Sequence, residues 1–182
     1  MSGLKEIRNR ISSVSSTMQI TNAMKMVSAA KLKKAQDSIT ATLPYSNKLS
    51  ELVKNISASI DSVDSNPLFV AREVKKPLII VITSNKGLCG GFNSNVIKEV
   101  YNIGAEYGSN KPDLLTIGKK GDDILKKKFN VISSHNDLFD EFSYLNVKSI
   151  ASKIMELYTD EKYDEVIPVS YTHLTLPTIY SV

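Results

Sequence analysis

The residue types best suited to chemistry gather in one short stretch, Ser84-Asn85-Lys86-Gly87-Leu88-Cys89-Gly90-Gly91. A glycine-rich turn that leaves a strand and opens a helix lets a phosphate approach the helix N-terminus. This one lacks the Gly-Lys-Ser/Thr ending of a P-loop, and its glycines do not follow the G-x-G-x-x-G spacing. Gly87, Gly90 and Gly91 are therefore read as a structural turn, where glycine permits positive φ and close packing, and no cofactor is expected. Cys89 is the sole cysteine, which rules out an internal disulfide and agrees with a reducing compartment. As a nucleophile it has no base evident in the sequence, so a packed or partly exposed thiol is expected. His135 and His173 stand far apart with no ligand-spaced cluster around them, and read as isolated surface or loop histidines with no metal. Asp122, Asp123, Asp137, Asp140 and Glu141 read as solvated helix ends and loops, leaving no catalytic group.

Charge is the second chemical signal. The 182 residues carry a net +4, but Lys5, Arg8, Arg10, Lys25, Lys31, Lys33 and Lys34 stand against Glu6 alone in residues 1–36, a net +6. The rest of the chain is thus mildly acidic, and an acidic partner is to be sought at the N-terminal segment. Lys25 to Lys34 could face nucleic acid, an anionic membrane or an acidic protein loop. A DNA reader would need a helix-turn-helix partner or a zipper after the basic region, and neither is visible. A membrane-lying helix would need aromatic anchors on its apolar face. A merely solvated charged face is the default, and composition decides no further.

These residues must be positioned by two kinds of structure. From about Gly3 to about Ile60, Leu4, Ile7, Ile11, Val14 and Met18 step by three and four, the spacing of a coiled-coil seam. Ile20, Met24 and Val27 then carry the pattern on with a phase slip of the kind a stutter produces. Pro44 is expected to kink or interrupt the helix, with helical spacing resuming at Leu49, Leu52, Val53, Ile56 and Ile60. A helix of ~55 residues would be ~80 Å long, and its narrow apolar stripe calls for a partner helix that this chain does not contain.

Residues 61–76 read as a linker. Pro77 to Thr83 is a short β-branched run expected to be a strand buried on both faces. A helix from Asn93 to about Tyr107, a strand Asp113–Ile117, a short helix Lys119–Lys128, a strand over Phe129–Ser133, a helix Val147–Tyr158 and a strand Tyr163–Val169 follow. This alternation predicts an α/β fold: a long N-terminal coiled-coil helix over 1–60, and a small Rossmann-like domain over 77–169 with a mainly parallel sheet. No apolar run approaches the length of a bilayer span, and the opening residues show neither a secretory signal nor an organelle presequence.

The segment Ile20-Thr-Asn-Ala-Met-Lys-Met-Val-Ser-Ala-Ala-Lys-Leu-Lys-Lys-Ala-Gln36 resembles the N-terminal helix signature of the gamma subunits of F-type ATP synthases. Leu4 to Ile11, with Val14, Thr17 and Ile20, is similar in register, and Pro44-Tyr45 falls where that family also has Pro-Tyr. Lys86-Gly-Leu-Cys-Gly-Gly-Phe-Asn93 resembles its Gly-Leu-Cys-Gly-Gly element, with Asn85-Lys86 where Asp-Arg is common; the likeness covers roughly residues 2–166.

The resemblance implies a non-catalytic central-stalk rotor that transmits torque between a membrane ion-driven ring and the catalytic alpha/beta hexamer. It implies alpha and beta subunits, the epsilon subunit and the c-ring as partners, and no nucleic acid. It also implies an antiparallel C-terminal helix as the missing partner of the seam. Met24 and Lys25 would lie on the stretch facing the beta subunits' acidic loop, with Lys31, Lys33 and Lys34 as electrostatic partners nearby. The implied location is peripheral, on the cytoplasmic face of a bacterial plasma membrane. Ile167 to Val182 departs from the family pattern, contains no Asp, Glu, Lys or Arg, and reads as a foreign tail ending a C-terminally truncated chain. The competing reading is a basic coiled-coil protein that binds nucleic acid or an anionic membrane surface.

Overall fold

A computed structural model describes residues 2–59, 67–68, 72–108, 110–139 and 142–170. Most of the expected linker and all of residues 171–182, including His173, lie outside that set. Two units emerge, Met1–Ser62 and Val63–Val182.

The first unit is one helix, α1, from Ser2 to Ser59. Alanine, methionine, lysine, leucine and glutamine dominate its middle, and all favour helix strongly. At 1.5 Å per residue it extends about 87 Å. Of the kink or interruption expected at Pro44, the interruption does not occur: α1 runs through it as a single element. A proline deletes one hydrogen bond and crowds the carbonyl of Thr40, a cost of about 3 kcal/mol. Uninterrupted turns on both sides absorb it, because each residue added to a nucleated helix contributes a further bond.

The second unit is an α/β domain whose elements run β1 (Pro77–Ile82), α2 (Phe92–Glu106), β2 (Asp113–Ile117), α3 (Lys119–Leu125), β3 (Val131–His135), α4 (Tyr144–Thr159) and β4 (Glu165–Val169). All pairings are parallel, in the order β3-β2-β1-β4. Chain order departs from β1 in both directions, as in doubly wound nucleotide-binding sheets. β1 is buried on both faces, as its run of Leu78, Ile79, Ile80 and Val81 requires.

Strand alternation separates two cores. Ile79, Val81 and Leu114 face Val96, Ile97 and Val100 of α2 and Leu125 of α3. Leu78 and Leu115 face Ile150 of α4 and Tyr163 on the opposite side, with Ile154 and Leu157 packed against them. Each fully buried aliphatic side chain contributes about 1.5–3 kcal/mol, so these two layers hold the domain together.

Element boundaries move for local reasons. β3 begins two residues later than expected because Phe129 turns into the first core, its ring 5.6 Å from that of Tyr101. α4 begins earlier because the Ser143 hydroxyl accepts from the Asn146 N–H at 3.3 Å, an N-cap. β4 starts after Asp164, whose carboxylate accepts from the backbone N–H groups of Lys75 and Lys76.

Candidate functional site

The glycine turn at the carboxyl end of β1 is held by side chains, not by glycine alone. Ser84 N–H donates to Asn93 Oδ1 at 3.0 Å, and Asn85 Nδ2 donates to the Asn136 carbonyl at 2.6 Å. Asn85 Oδ1 accepts in turn from the Lys119 N–H at 3.0 Å. The loop between these clamps carries Leu88 at φ 62° and Gly90 at φ 59°. Of the three glycines expected to serve the turn, Gly90 is the one that adopts positive φ; Gly87 and Gly91 do not. The helix that follows has Gly91 as its N-cap and no side-chain cap.

Cys89 is exposed, and its sulfur accepts from Asn93 Nδ2 at 3.2 Å. His135 is engaged elsewhere, with Nε2 3.0 Å from Ser133 Oγ. Burial and the charge of Lys153 hold its pKa below the ordinary imidazole value, which keeps it neutral at pH 7. No group of His, Cys, Asp and Glu among the described residues is arranged to hold a metal ion.

Asp122 corrects the expectation of a solvated carboxylate. It is buried, with Oδ1 accepting from Thr116 Oγ1 at 3.1 Å and Ser134 Oγ at 2.6 Å. Lys126 Nζ stands 3.6 Å from Oδ2. Burial pushes the carboxyl up, but the two hydroxyl donors and Lys126 outweigh it and hold its pKa below the usual carboxylate value. Three elements, β2, β3 and α3, are joined through this one side chain. The available signal was Thr116, a polar residue inside an otherwise apolar buried strand, which must find a partner. Asp123 behaves as expected, half-exposed and 3.4 Å from Lys126, and Asp137 is exposed; Asp140 and Glu141 lie outside the described residues.

Met24, Lys25, Lys31, Lys33 and Lys34 all lie exposed on α1, and none of the four lysines forms an ion pair among the described residues. They do not form one patch. Counted in sevens from Leu4, the residues of α1 fall on lines that can be followed along it. One line is Leu4, Ile11, Met18, Lys25, Leu32, Ile39, Ser46 and Val53; its companion is Ile7, Val14, Thr21, Ser28, Ala35, Thr42, Leu49 and Ile56. In this count Ile20 and Val27 share the outer line of Glu6 and Met24 borders the seam, so the apolar pattern shifts off the two lines there, as a phase slip would have it. Lys25 sits within the seam, Met24 and Lys31 border it, Lys34 follows Ile20 and Val27 seven residues apart, and Lys33 lies on the outer side. Pro44 also falls on the outer side, away from the seam.

The seam is open. Leu4 is 78% exposed and Ile11 65%. Arg10, Ile11, Val14 and Ser15 line a hollow of about 420 Å³ on it. A stripe of large apolar side chains at this exposure needs a cover.

A family model described as ATP synthase matches residues 3–179, a match that reaches into the uncharged C-terminal stretch. The ATP synthase gamma chain of Flavobacterium johnsoniae is 54% identical over 166 residues, covering 91% of this chain and 58% of that relative. That of Christiangramia forsetii is 50% identical over 170 residues, with 93% and 59% covered. The gamma chain of Geotalea uraniireducens is 43% identical over 168 residues, with 91% and 58% covered. The chain thus spans less than two thirds of the length of these relatives.

Proposed function

Because the chain belongs to the ATP synthase gamma chain family, we propose that it works as part of the central stalk, transmitting torque between a membrane ion-driven ring and the catalytic alpha/beta hexamer. The observation that carries this reading is α1: an unbroken helix of about 87 Å with an open seam and basic residues disposed around it. A rod of that length transmits twist along its axis only when a second helix stiffens it along the seam. The α/β domain supports a mechanical part as well. Its glycine turn after β1 is clamped by asparagines, its buried carboxylate ties elements together, and its thiol meets no base among the described residues.

In this reading the seam takes a second helix. Met24 and Lys25 meet an acidic loop of the beta subunits, with Lys31, Lys33 and Lys34 as electrostatic partners nearby. The epsilon subunit and the c-ring meet the α/β domain. No described helix is long and apolar enough to cross a membrane. The attachment proposed runs through the complex. The location proposed is its cytoplasmic face in a bacterium.

The test is co-purification. A tagged chain expressed with the alpha and beta subunits of a relative should retain both, and charge reversal at Lys33 and Lys34 should weaken that retention. Recovery of nucleic acid or liposomes in a salt-sensitive manner, with no alpha or beta subunit, would replace this reading with that of a basic coiled-coil protein.

A further inference from the structure

The five residues before β1, Arg72-Glu-Val-Lys-Lys76, read in the sequence as the charged end of a linker. The structure fastens them to the α/β domain at three separate points. Arg72 Nη1 donates to the Tyr158 carbonyl in the last turn of α4 at 2.9 Å, and its guanidinium lies 4.7 Å from the centre of the Tyr158 ring. A cation is favoured at a helix C-terminus, and the ring face adds to the attraction. The Asp164 carboxylate accepts from the N–H groups of Lys75 and Lys76 at 3.1 and 3.0 Å, and the Asp164 N–H donates to the Lys76 carbonyl at 3.1 Å. These bonds stand just ahead of Pro77, which has no N–H to give the ladder where β1 begins. Lys76 Nζ lies 3.5 Å from Asp113 Oδ2 and 5.1 Å from the centre of the Tyr163 ring. The Tyr163 hydroxyl donates to that same Asp113 oxygen at 2.7 Å.

β1 is an interior strand, paired with β2 on one side and β4 on the other. A pull arriving at a bare amino end of β1 would load its ladder bonds in turn, starting from Pro77. With the segment fastened, bonds to α4, to the start of β2 and to the turn before β4 must fail together before β1 moves. We propose that residues 72–76 form a load-bearing clasp, positioned by Arg72 and Asp164, that passes force entering ahead of β1 into α4 and the sheet at once. The inference rests on the torque-transmitting reading given above and adds to it the place where the domain takes up load.

Constant-force optical trapping of the full 182-residue chain, with Cys89→Ser and paired cysteine handles, supplies the test. Handles at Pro67 and Lys127 send load through the clasp; handles at Glu99 and Lys127 bypass it. All three positions are exposed. Arg72→Ala should shorten the folded lifetime under load about tenfold through the first pair and leave it nearly unchanged through the second. Arg72→Lys, which keeps the charge and loses the planar donors, should give a smaller loss through the first pair only. Equal shortening through both pairs would make Arg72 a general stabiliser of the domain, and no shortening through the first would mean that it bears no load. Either result overturns the clasp and leaves the central-stalk reading standing, because nothing rotates in this measurement.

Discussion

Removing the Asp122 carboxylate should loosen the α/β domain by an amount the geometry allows to be worked out. In Asp122→Ala the Thr116 hydroxyl, on a residue that is 0% exposed, loses its carboxylate acceptor and keeps the neighbouring Ser134 hydroxyl 3.1 Å away. Losing a hydrogen bond to a charged acceptor costs about 1.5–3 kcal/mol. Ser134 lies nearer solvent and can turn to water, so its share is about 1 kcal/mol. Lys126 is half-exposed, and its ion pair adds little. The expected loss is about 2–4 kcal/mol, against about 1 kcal/mol for Asp122→Asn, which keeps an acceptor but loses the charge.

The pH dependence has a definite sign. The folded pKa of Asp122 lies below its unfolded value, so its contribution is present above the unfolded value and is lost as pH falls through the folded one. The assay is native-state amide hydrogen exchange at Leu115 and Thr116, which reads opening of β2 whatever α1 does. A change below about 0.5 kcal/mol in Asp122→Ala would refute the claim that this carboxylate joins three elements.

Gly118 has φ 100°, and a Cβ there would collide with the Thr83 carbonyl oxygen. Gly118→Ala should therefore cost more than about 3 kcal/mol and leave β1 and β2 poorly protected in the same exchange measurement. Pro44→Ala restores the bond to Thr40 and should raise helical circular dichroism and amide protection around residue 44, by up to about 3 kcal/mol; unchanged protection would mean the proline is not strained. Tyr107, whose hydroxyl donates to Glu165 at 2.6 Å, has its pKa pushed up to about 12 by that bond and by burial. Spectrophotometric titration should find it ionising well above the exposed tyrosines, and Glu165→Gln should bring it back down.

Much of this fold was legible in the sequence because two periods are written plainly. The run Leu78 to Val81 could only be a strand covered on both faces, and the three-and-four stepping from Leu4 to Met18 could only be a helix with one sticky side. Alternation of such elements was enough for a parallel sheet. Pro44 does not interrupt α1 because of the length of helix on either side of it, which local propensity does not weigh. Asp122 misled for the opposite reason: adjacent charged residues read as solvent-facing, and only the tertiary meeting of Thr116 and Ser134 gives the carboxylate its place. At the candidate site, the sequence marked the basic residues of α1 but not their distribution around it.

The central claim, that these residues form a torque-bearing shaft, is tested most directly by rotation. Residues 1–166 would replace the matching segment of the Flavobacterium johnsoniae gamma chain in an immobilised complex with alpha and beta subunits, and ATP-driven turning of the stalk would be followed under load. The account predicts continuous rotation with torque close to that of the unaltered complex, and loss of torque when Lys33 and Lys34 are reversed in charge. Assembly followed by ATP hydrolysis without rotation would contradict it.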